Sequence, residues 1–420
     1  MANIDLLSGT SRVESPYIKV KIGDYTFGVY TRTSKEDKLS TGFYSAINVT
    51  YPNYIKSLSI TKVNGTVNKY TLNMFYVITP QDDPNFFEKV FSSVSETRKI
   101  IFSYGDMNLP TYIYKDEEAM LTTINSNFDI KNSVINYTIE AVSTGKLATS
   151  GSYTVGRQGL CKPSDEIKRL LNDTSTGLKD LFYGMNHITS QQLNELIASD
   201  DKMVNVPIKT NMSALDALNY LVSCMIPVGS QTNFSNTDVY ALTLHDDITG
   251  TYSGPYFKVT RVSSKIERSD AYEINIGYPS ANVVTSFQLT NQDNYSLLYN
   301  WQEKLNPNVY VERIDNNGNY IKEYSPTLTT TGSKRTTSVE EQNWWTKVTQ
   351  FPISGTLTIK GLLRPAILMT HVRINVYFFG RKHISSGLYI VTNQQDQIDS
   401  SGYRTTLSVT RVSGDELIAA

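Results

Sequence analysis

A chain of 420 residues is longer than one hydrophobic core serves, so at least two domains are expected. Lysine and arginine (39) balance aspartate and glutamate (40), which removes any partner gathered by net charge, nucleic acid and anionic membrane surfaces among them. No apolar run reaches the roughly 20 residues of a membrane helix, and the first residues carry no secretory pattern, so assembly in a cytoplasm is expected.

The 28 tyrosines, with abundant Thr, Asn, Ser, Ile and Val, favour half-buried pleated surfaces, and the chain reads as mainly β with α+β insertions. In YIKVKIGDYTFGVY, Ile18, Val20 and Ile22 share one strand face and Lys19 and Lys21 the other. Asn64 and Gly65 sit between two β-prone runs, a strong hairpin signal. In DDPNFFEKVFSSVSETR, Asp83 is positioned to cap a helix, Pro84 to open it, and Phe87, Val90, Phe91 and Val94 to form its apolar stripe. Further strands follow at KIIFSYGD, TYIY and VINYTIEAVS, completing a β unit over residues 1–148.

Residues 149–163 are rich in Gly and Ser and read as a linker. Helical spacing then appears in PSDEIKRLLND, TSQQLNELIASDD and SALDALNYLVSCMIP. The last has Ser213 and Asp216 at its start, a stripe of Leu215, Leu218, Val222 and Met225, and Pro227 as its stop. A small α+β domain over 164–250 accounts for this segment. Strand patterning returns in residues 251–300 and again in 337–420, where Val372, Ile374, Val376 and Phe378 share a face; these two stretches are expected to form a second, discontinuous β domain. Residues 301–336 read as an insertion: a hairpin with Asn317 and Gly318 at its tip, then a polar Ser/Thr-rich loop at 325–338.

The two β-rich ends resemble each other. IIFSYG, with Ile101 to Gly105 as its core, matches VYFFG from Val376 to Gly380, and TYIY matches LYIVT. INSNFDIKNSVINYTIEAVSTG then lies against VTNQQDQIDSSGYRTTLSVTRVSG, placing Ile130 opposite Ile398, Thr138 opposite Thr406, Ile139 opposite Leu407 and Ala141 opposite Val409. Generic strand alternation is the competing explanation. A true duplication would let three copies present six similar units around an axis, because head-to-tail interfaces usually close into rings.

Motifs that carry chemistry are sparse. H-E-x-x-H, G-x-S-x-G, Walker and Rossmann glycine patterns are missing, and no catalytic, cofactor-binding or metal-binding residue is assigned. Cys161 and Cys224 lack metal or disulfide spacing and are expected to be buried thiols. His187, His245, His371 and His383 are scattered; His245 beside Asp246 and Asp247 has ligand-type donors but reads as a solvated turn, and His371 as a lumen- or solvent-facing position. Glu117 with Glu118 and Glu340 with Glu341 are carboxylate pairs of the kind glycosidases use, and read as solvated positions. Trp344 and Trp345 suit either an interface or a sugar-stacking platform.

Four stretches, SGLYIVTNQQDQIDSSGYRTTLSVTRV, GLLRPAILMTHVRINVYFFG, NVPIKTNMSALDALNYLVSCMI and the N-terminal hairpin with DDPNFFEKVF, resemble the baseplate or tail hub proteins of tailed bacteriophages and related contractile injection machines. The resemblance covers most of the chain as architecture. It implies a non-enzymatic structural virion protein, a homotrimer with two tube-like β-barrel domains per subunit plus the small helical α+β domain. Its ring would be pseudo-hexameric and would join the hexameric tail tube to the trimeric central spike at the baseplate. Implied partners are the tube ring, the spike, other baseplate or wedge proteins and the tape measure protein, with DNA passing through the lumen without specific binding. The 325–338 loop is longer than a minimal hub needs. Two other readings stay open: a glycan- or receptor-binding tail-tip protein using Trp344, Trp345 and that loop, and a tail-associated cell-wall hydrolase.

Overall fold

The computed structural model describes residues 16–30, 51–52, 54–94, 98–106, 114–143, 148–199, 203–225, 239–245, 252, 255–262, 272–277, 284–291, 310–314, 320–324, 353–360, 368–369, 371–383 and 385–414. The chain is mostly β, with a helical unit between two β-rich ends. Among the described residues no helix is long and apolar enough to cross a membrane.

The first module begins with β1 (Pro16–Ile22), β2 (Tyr25–Tyr30) and the short β3 (Tyr51–Pro52). Ile18, Val20 and Ile22 point inward and Lys21 outward, as strand alternation requires. β4 (Ile55–Val63) and β5 (Lys69–Val77) form the hairpin with Asn64 and Gly65 in its turn. Helix α1 (Phe86–Ser92) follows, burying Phe87 and Val90. It starts two residues later than the sequence suggests, with Asn85 as its N-cap. Asp83 instead organises the approach: its Oδ1 accepts the Asn85 backbone N–H (2.9 Å) and its Oδ2 the Lys89 ammonium (2.5 Å). β6 (Lys99–Asp106), β7 (Tyr114–Asp129) and β8 (Val134–Ser143) complete the module in the order β4-β5-β8-β7-β6-β1-β2-β3.

A separate core follows. The expected linker carries β9 (Tyr153–Val155) and β10 (Leu160–Cys161), whose Tyr153, Val155 and Cys161 are buried in that core. The glycines there turn the chain between short strands, so composition alone misread it. Helices α2 (Pro163–Asn172), α3 (Leu178–Leu181) and α4 (Ser190–Leu196) are followed by β11 (Val204–Asn205), β12 (Lys209–Met212) and α5 (Ala214–Cys224). Helix α4 has a full capping box between Thr189 and Gln192, and Ser213 caps α5. β13 (Val239–His245) and β14 (Tyr256–Val262) pair antiparallel and pack on the same core, so this hairpin straddles the expected boundary at residue 250. Cys161 and Cys224 are buried free thiols within it.

The second module comprises β15 (Tyr272–Ile276), β16 (Val284–Asn291), β19 (Ile353–Lys360), β20 (His371–Phe378), β21 (Arg381–Lys382), β22 (Gly387–Asp399) and β23 (Gly402–Gly414). The hairpin of β17 (Tyr310–Ile314) and β18 (Tyr320–Tyr324) lies in the long connection between β16 and β19. Its order, β16-β19-β23-β22-β20-β15, repeats β4-β5-β8-β7-β6-β1 strand for strand. The irregularities repeat as well. Lys56 bulges out between the pairs Ile55↔Met74 and Ser57↔Asn73, as Thr285 does between Val284↔Ile359 and Ser286↔Thr358. Thr122 and Thr392 bulge at equivalent points of β7 and β22, and each hydroxyl donates to the carbonyl across the bulge, Glu140 O (2.9 Å) and Ser408 O (3.3 Å).

In this superposition Thr138 matches Thr406, Ile139 matches Leu407 and Ala141 matches Val409, as the sequence suggests. Ile398 instead matches Phe128, because the β7–β8 turn is two residues longer than the β22–β23 turn. Val376 likewise falls opposite Tyr104 rather than Ile101. The modules also differ: β1 is antiparallel to β6, whereas β15 runs parallel to β20, and the irregularities at Phe102/Tyr104 and at Leu388/Tyr389 each occur in one module only.

The two modules share one sheet of 15 strands and one hydrophobic core. Among the described residues the ladder stays open and neither module closes into a barrel, because the length of β22 beyond β20 is taken up by β4 of the first module.

Candidate assembly interface

The modules meet through β22. Its first half pairs with β20, from Gly387↔Ile374 to Ile390↔His371, and its second half with β4, from Asn393↔Val63 to Ile398↔Leu58. The bulge at Thr392 separates the two halves, and the Thr392 carbonyl accepts the Asn64 backbone N–H (3.4 Å) at the tip of the β4–β5 turn. The same turn reaches the helical unit: Gly65 N–H donates to Leu242 O (2.9 Å) in β13, and Asn219 Nδ2 of α5 donates to Gly65 O (2.9 Å). Gly65 has φ +70°, which side-chain-bearing residues rarely adopt, and a Cβ there would lie 2.6 Å from Asn219 Oδ1 and push that side chain away from its bond to Gly65 O.

Behind the turn lies a buried polar cluster. Leu58, Ile60 and Lys62 share the inward face of β4, so alternation carries the ammonium into the core. Lys62 Nζ donates to Glu117 Oε1 (2.7 Å) on β7, while Tyr70 and Tyr104 donate their hydroxyls to Oε2 of the same carboxylate (2.8 and 3.1 Å). Across the junction, buried Asp396 of β22 accepts from Thr405 Oγ1 (2.6 Å), Tyr403 O–H (3.2 Å) and Gln394 Nε2 (2.7 Å). Burial pushes the Asp396 carboxyl up to about 6, against the opposing pull of these hydrogen bonds and of the Lys62 charge.

His245, at the end of β13, also feels Lys62. Burial first, then the charges of Lys258 and Lys62, holds its imidazole down to about 4, and its Nε2 lies 2.9 Å from Thr243 Oγ1. Asp396 and His245 therefore drive stability in opposite directions. The raised carboxyl contributes stability that is complete below its unfolded pKa near 3.8 and lost as pH rises through about 6. The depressed histidine contributes stability present above its unfolded value of 6.5 and lost as pH falls toward about 4. At ~1.36 kcal/mol per pKa unit each contribution is on the order of 3 kcal/mol, and the two nearly cancel. Asp396→Asn should unmask the histidine. Urea unfolding between pH 7 and pH 4.5 should show the variant losing roughly 2 kcal/mol more than the parent on acidification; parallel curves would refute this assignment.

The residues singled out in the sequence fall elsewhere. Glu117 is buried in the cluster, not solvated, because its strand phase faces the core; Glu118, on the outward phase, pairs with Lys99. His245 is half-buried at the end of β13 and stacked on Tyr256 (4.9 Å), not in a solvated turn. His371 is also buried, since β20 is covered on both faces. His187 and His383 are exposed. Asp246, Asp247, Asn317, Gly318, the 325–338 loop, Glu340, Glu341, Trp344 and Trp345 lie outside the described residues. Among the described residues no three His, Cys, Asp or Glu side chains gather as a metal-binding group. Lys62 and Asp396 were not picked out from the sequence; the available signal was that Lys62 continues the inward phase of Leu58 and Ile60.

No protein-family model and no curated protein matches this sequence. Solved structures do. One is a 43 kDa tail protein of prophage MuSo2 from Shewanella oneidensis, 9% identical over 95% of this chain and 97% of that chain, with a TM-score of 0.47. Another is a tail protein from Neisseria meningitidis MC58, 8% identical over 94% of this chain and 96% of that one, with a TM-score of 0.47. A third is the Escherichia coli c3393 protein, described as a type VI secretion component structurally similar to T4 bacteriophage tail proteins, 10% identical over 87% of this chain and 76% of that chain, with a TM-score of 0.41. The structural neighbours of this chain are thus phage tail proteins and a secretion-system relative of them, at low sequence identity.

Proposed function

We propose that this protein is a structural hub of a phage tail: a homotrimer whose six β modules form a pseudo-hexameric ring joining a hexameric tail tube to a trimeric central spike. The observation that carries this reading is the internal duplication, with matching strand order and matching bulges, joined by a head-to-tail strand pair. Such a junction is heterologous, and repeated heterologous contacts generate rings when the rotation closes.

In this reading the first module spans residues 1–148, the helical unit 164–250, and the second module 251–300 with 337–420, 301–336 being an insertion; the short strands at 153–161 and 256–262 attach to the helical unit. The role is mechanical rather than enzymatic. The ring sits at the virion baseplate, having assembled in the host cytoplasm, and leaves a lumen for DNA. Its partners are the tube ring, the spike, neighbouring baseplate or wedge proteins and the tape measure protein. Light scattering on the purified protein should give three times the chain mass, and negative-stain images a short ring with a central hole. A monomer or dimer at every concentration overturns the proposal.

A further inference from the structure

The internal junction uses one strand edge from each module and leaves the equivalent edge of each unused. In β22 the second half, residues 393–398, carries β4 as its outer neighbour. The equivalent half of β7, residues 123–128, pairs only with β8 among the described residues, since β6 covers β7 only as far as Met120. The consequence is visible in burial: Ile398 is fully buried, whereas its equivalent Phe128 is 59% exposed. At the other end of the sheet β16, the equivalent of β4, pairs only with β19 among the described residues and ends the strand order.

Among the described residues neither open edge is guarded. Exposed edge strands are usually protected by lysine, proline or an inward charge. Residues 123–128 read TINSNF and residues 287–291 read FQLTN, without a charge or a proline. One edge is the socket half of the internal junction and the other is its plug half, each missing its counterpart.

We infer that residues 123–128 of one copy pair antiparallel with residues 287–291 of a second copy, repeating the β22–β4 ladder between chains. The internal register fixes the new one. Asp396↔Ile60, Gln397↔Ser59 and Ile398↔Leu58 translate into Ser126↔Leu289, Asn127↔Gln288 and Phe128↔Phe287, with Asn125↔Thr290 beside them. Phe128 then meets Phe287, and Ser126 replaces the buried Asp396, so the contact between chains carries no charge on its inner face. The inference deepens the hub reading and rests on it, since it names the surface by which copies of this chain close a ring.

Paired cysteines test it. In the register given, Asn127→Cys with Gln288→Cys, and Asn125→Cys with Thr290→Cys, place two β carbons directly across a ladder within disulfide range. The mismatched pair Asn125→Cys with Gln288→Cys sits on a diagonal. Under mild oxidation both matched variants should give covalent trimers on denaturing gels, with at least five-fold less cross-linking in the mismatched pair. A trimer by light scattering that fails to cross-link in either matched pair overturns the strand pairing and leaves the hub reading standing. Cross-linked chains that grow past three copies into open filaments support the pairing and overturn the hub. A monomer at all concentrations without cross-links overturns both.

Discussion

Replacing Lys62 with methionine is expected to cost about 3–5 kcal/mol of stability, because it leaves buried carboxyl groups without their cation. Glu117 keeps the Tyr70 and Tyr104 hydroxyls but loses the 2.7 Å ammonium contact in a setting where its side chain is 4% exposed. Asp396 loses the one charge that favours its ionised form. The pair itself adds little over a well-packed apolar substitute, so Lys62→Met combined with Glu117→Gln should recover most of the loss. Urea unfolding followed by circular dichroism measures both variants. A single variant within about 1 kcal/mol of the parent would mean that water reaches the cluster and screens it. Because Lys62 lies directly opposite Gln394 across the junction, the single variant should also loosen β22 from β4, seen as faster amide exchange in residues 393–398.

A comparable loss is expected on truncating Phe87, which anchors α1 in the first module. The ring is fully buried, stacks on Phe27 (5.6 Å) and meets Tyr137 at 4.7 Å, with Tyr76, Tyr54, Phe86 and Phe91 closing the shell. Phe87→Ala opens a cavity among rigid aromatics that cannot collapse into it, with an expected cost of about 3–5 kcal/mol. Phe87→Leu fills most of that space and should cost roughly 1–2 kcal/mol. The damage should stay local: exchange should rise in β2, β5 and β8 while α5, in the separate helical core, keeps its protection. Uniform loss across both cores would show that they unfold as one unit.

Much of the local structure was legible in the sequence because it depends on short-range periodicity. The alternation of Ile18, Val20 and Ile22, the turn at Asn64 and Gly65, the stripe on α1 and the Ser213 cap of α5 each follow from residues within a few positions of one another. The duplication was legible at β8 and β23, where two buried aliphatic positions and a cross-strand threonine recur in step: Thr138 bonds Asn73, and Thr406 bonds the equivalent Thr358. It was misaligned wherever a turn changes length, as at Ile130, because strand matching without the turns has no anchor. The junction was not legible at all. The pairing of β4 with the far half of β22 joins residues more than three hundred positions apart, so no local pattern announces it. A charge on an apolar phase is the trace such a site leaves in a sequence.

The way the connections distribute has its own consequence. Following the antiparallel pairings, the tight reversals at residues 130–133 and 400–401 emerge on the same side of the sheet. The opposite side holds the Asn64 turn against the helical unit in the first module and the equivalent end of β16 in the second. Any closed circle of these chains therefore has two unlike faces: one carries a tight reversal from every module, with α1 beside it in the first module only among the described residues, and the other carries the Asn64 turn. A partner that grips the reversals alone would meet six similar seats, and one that also reads α1 would meet three.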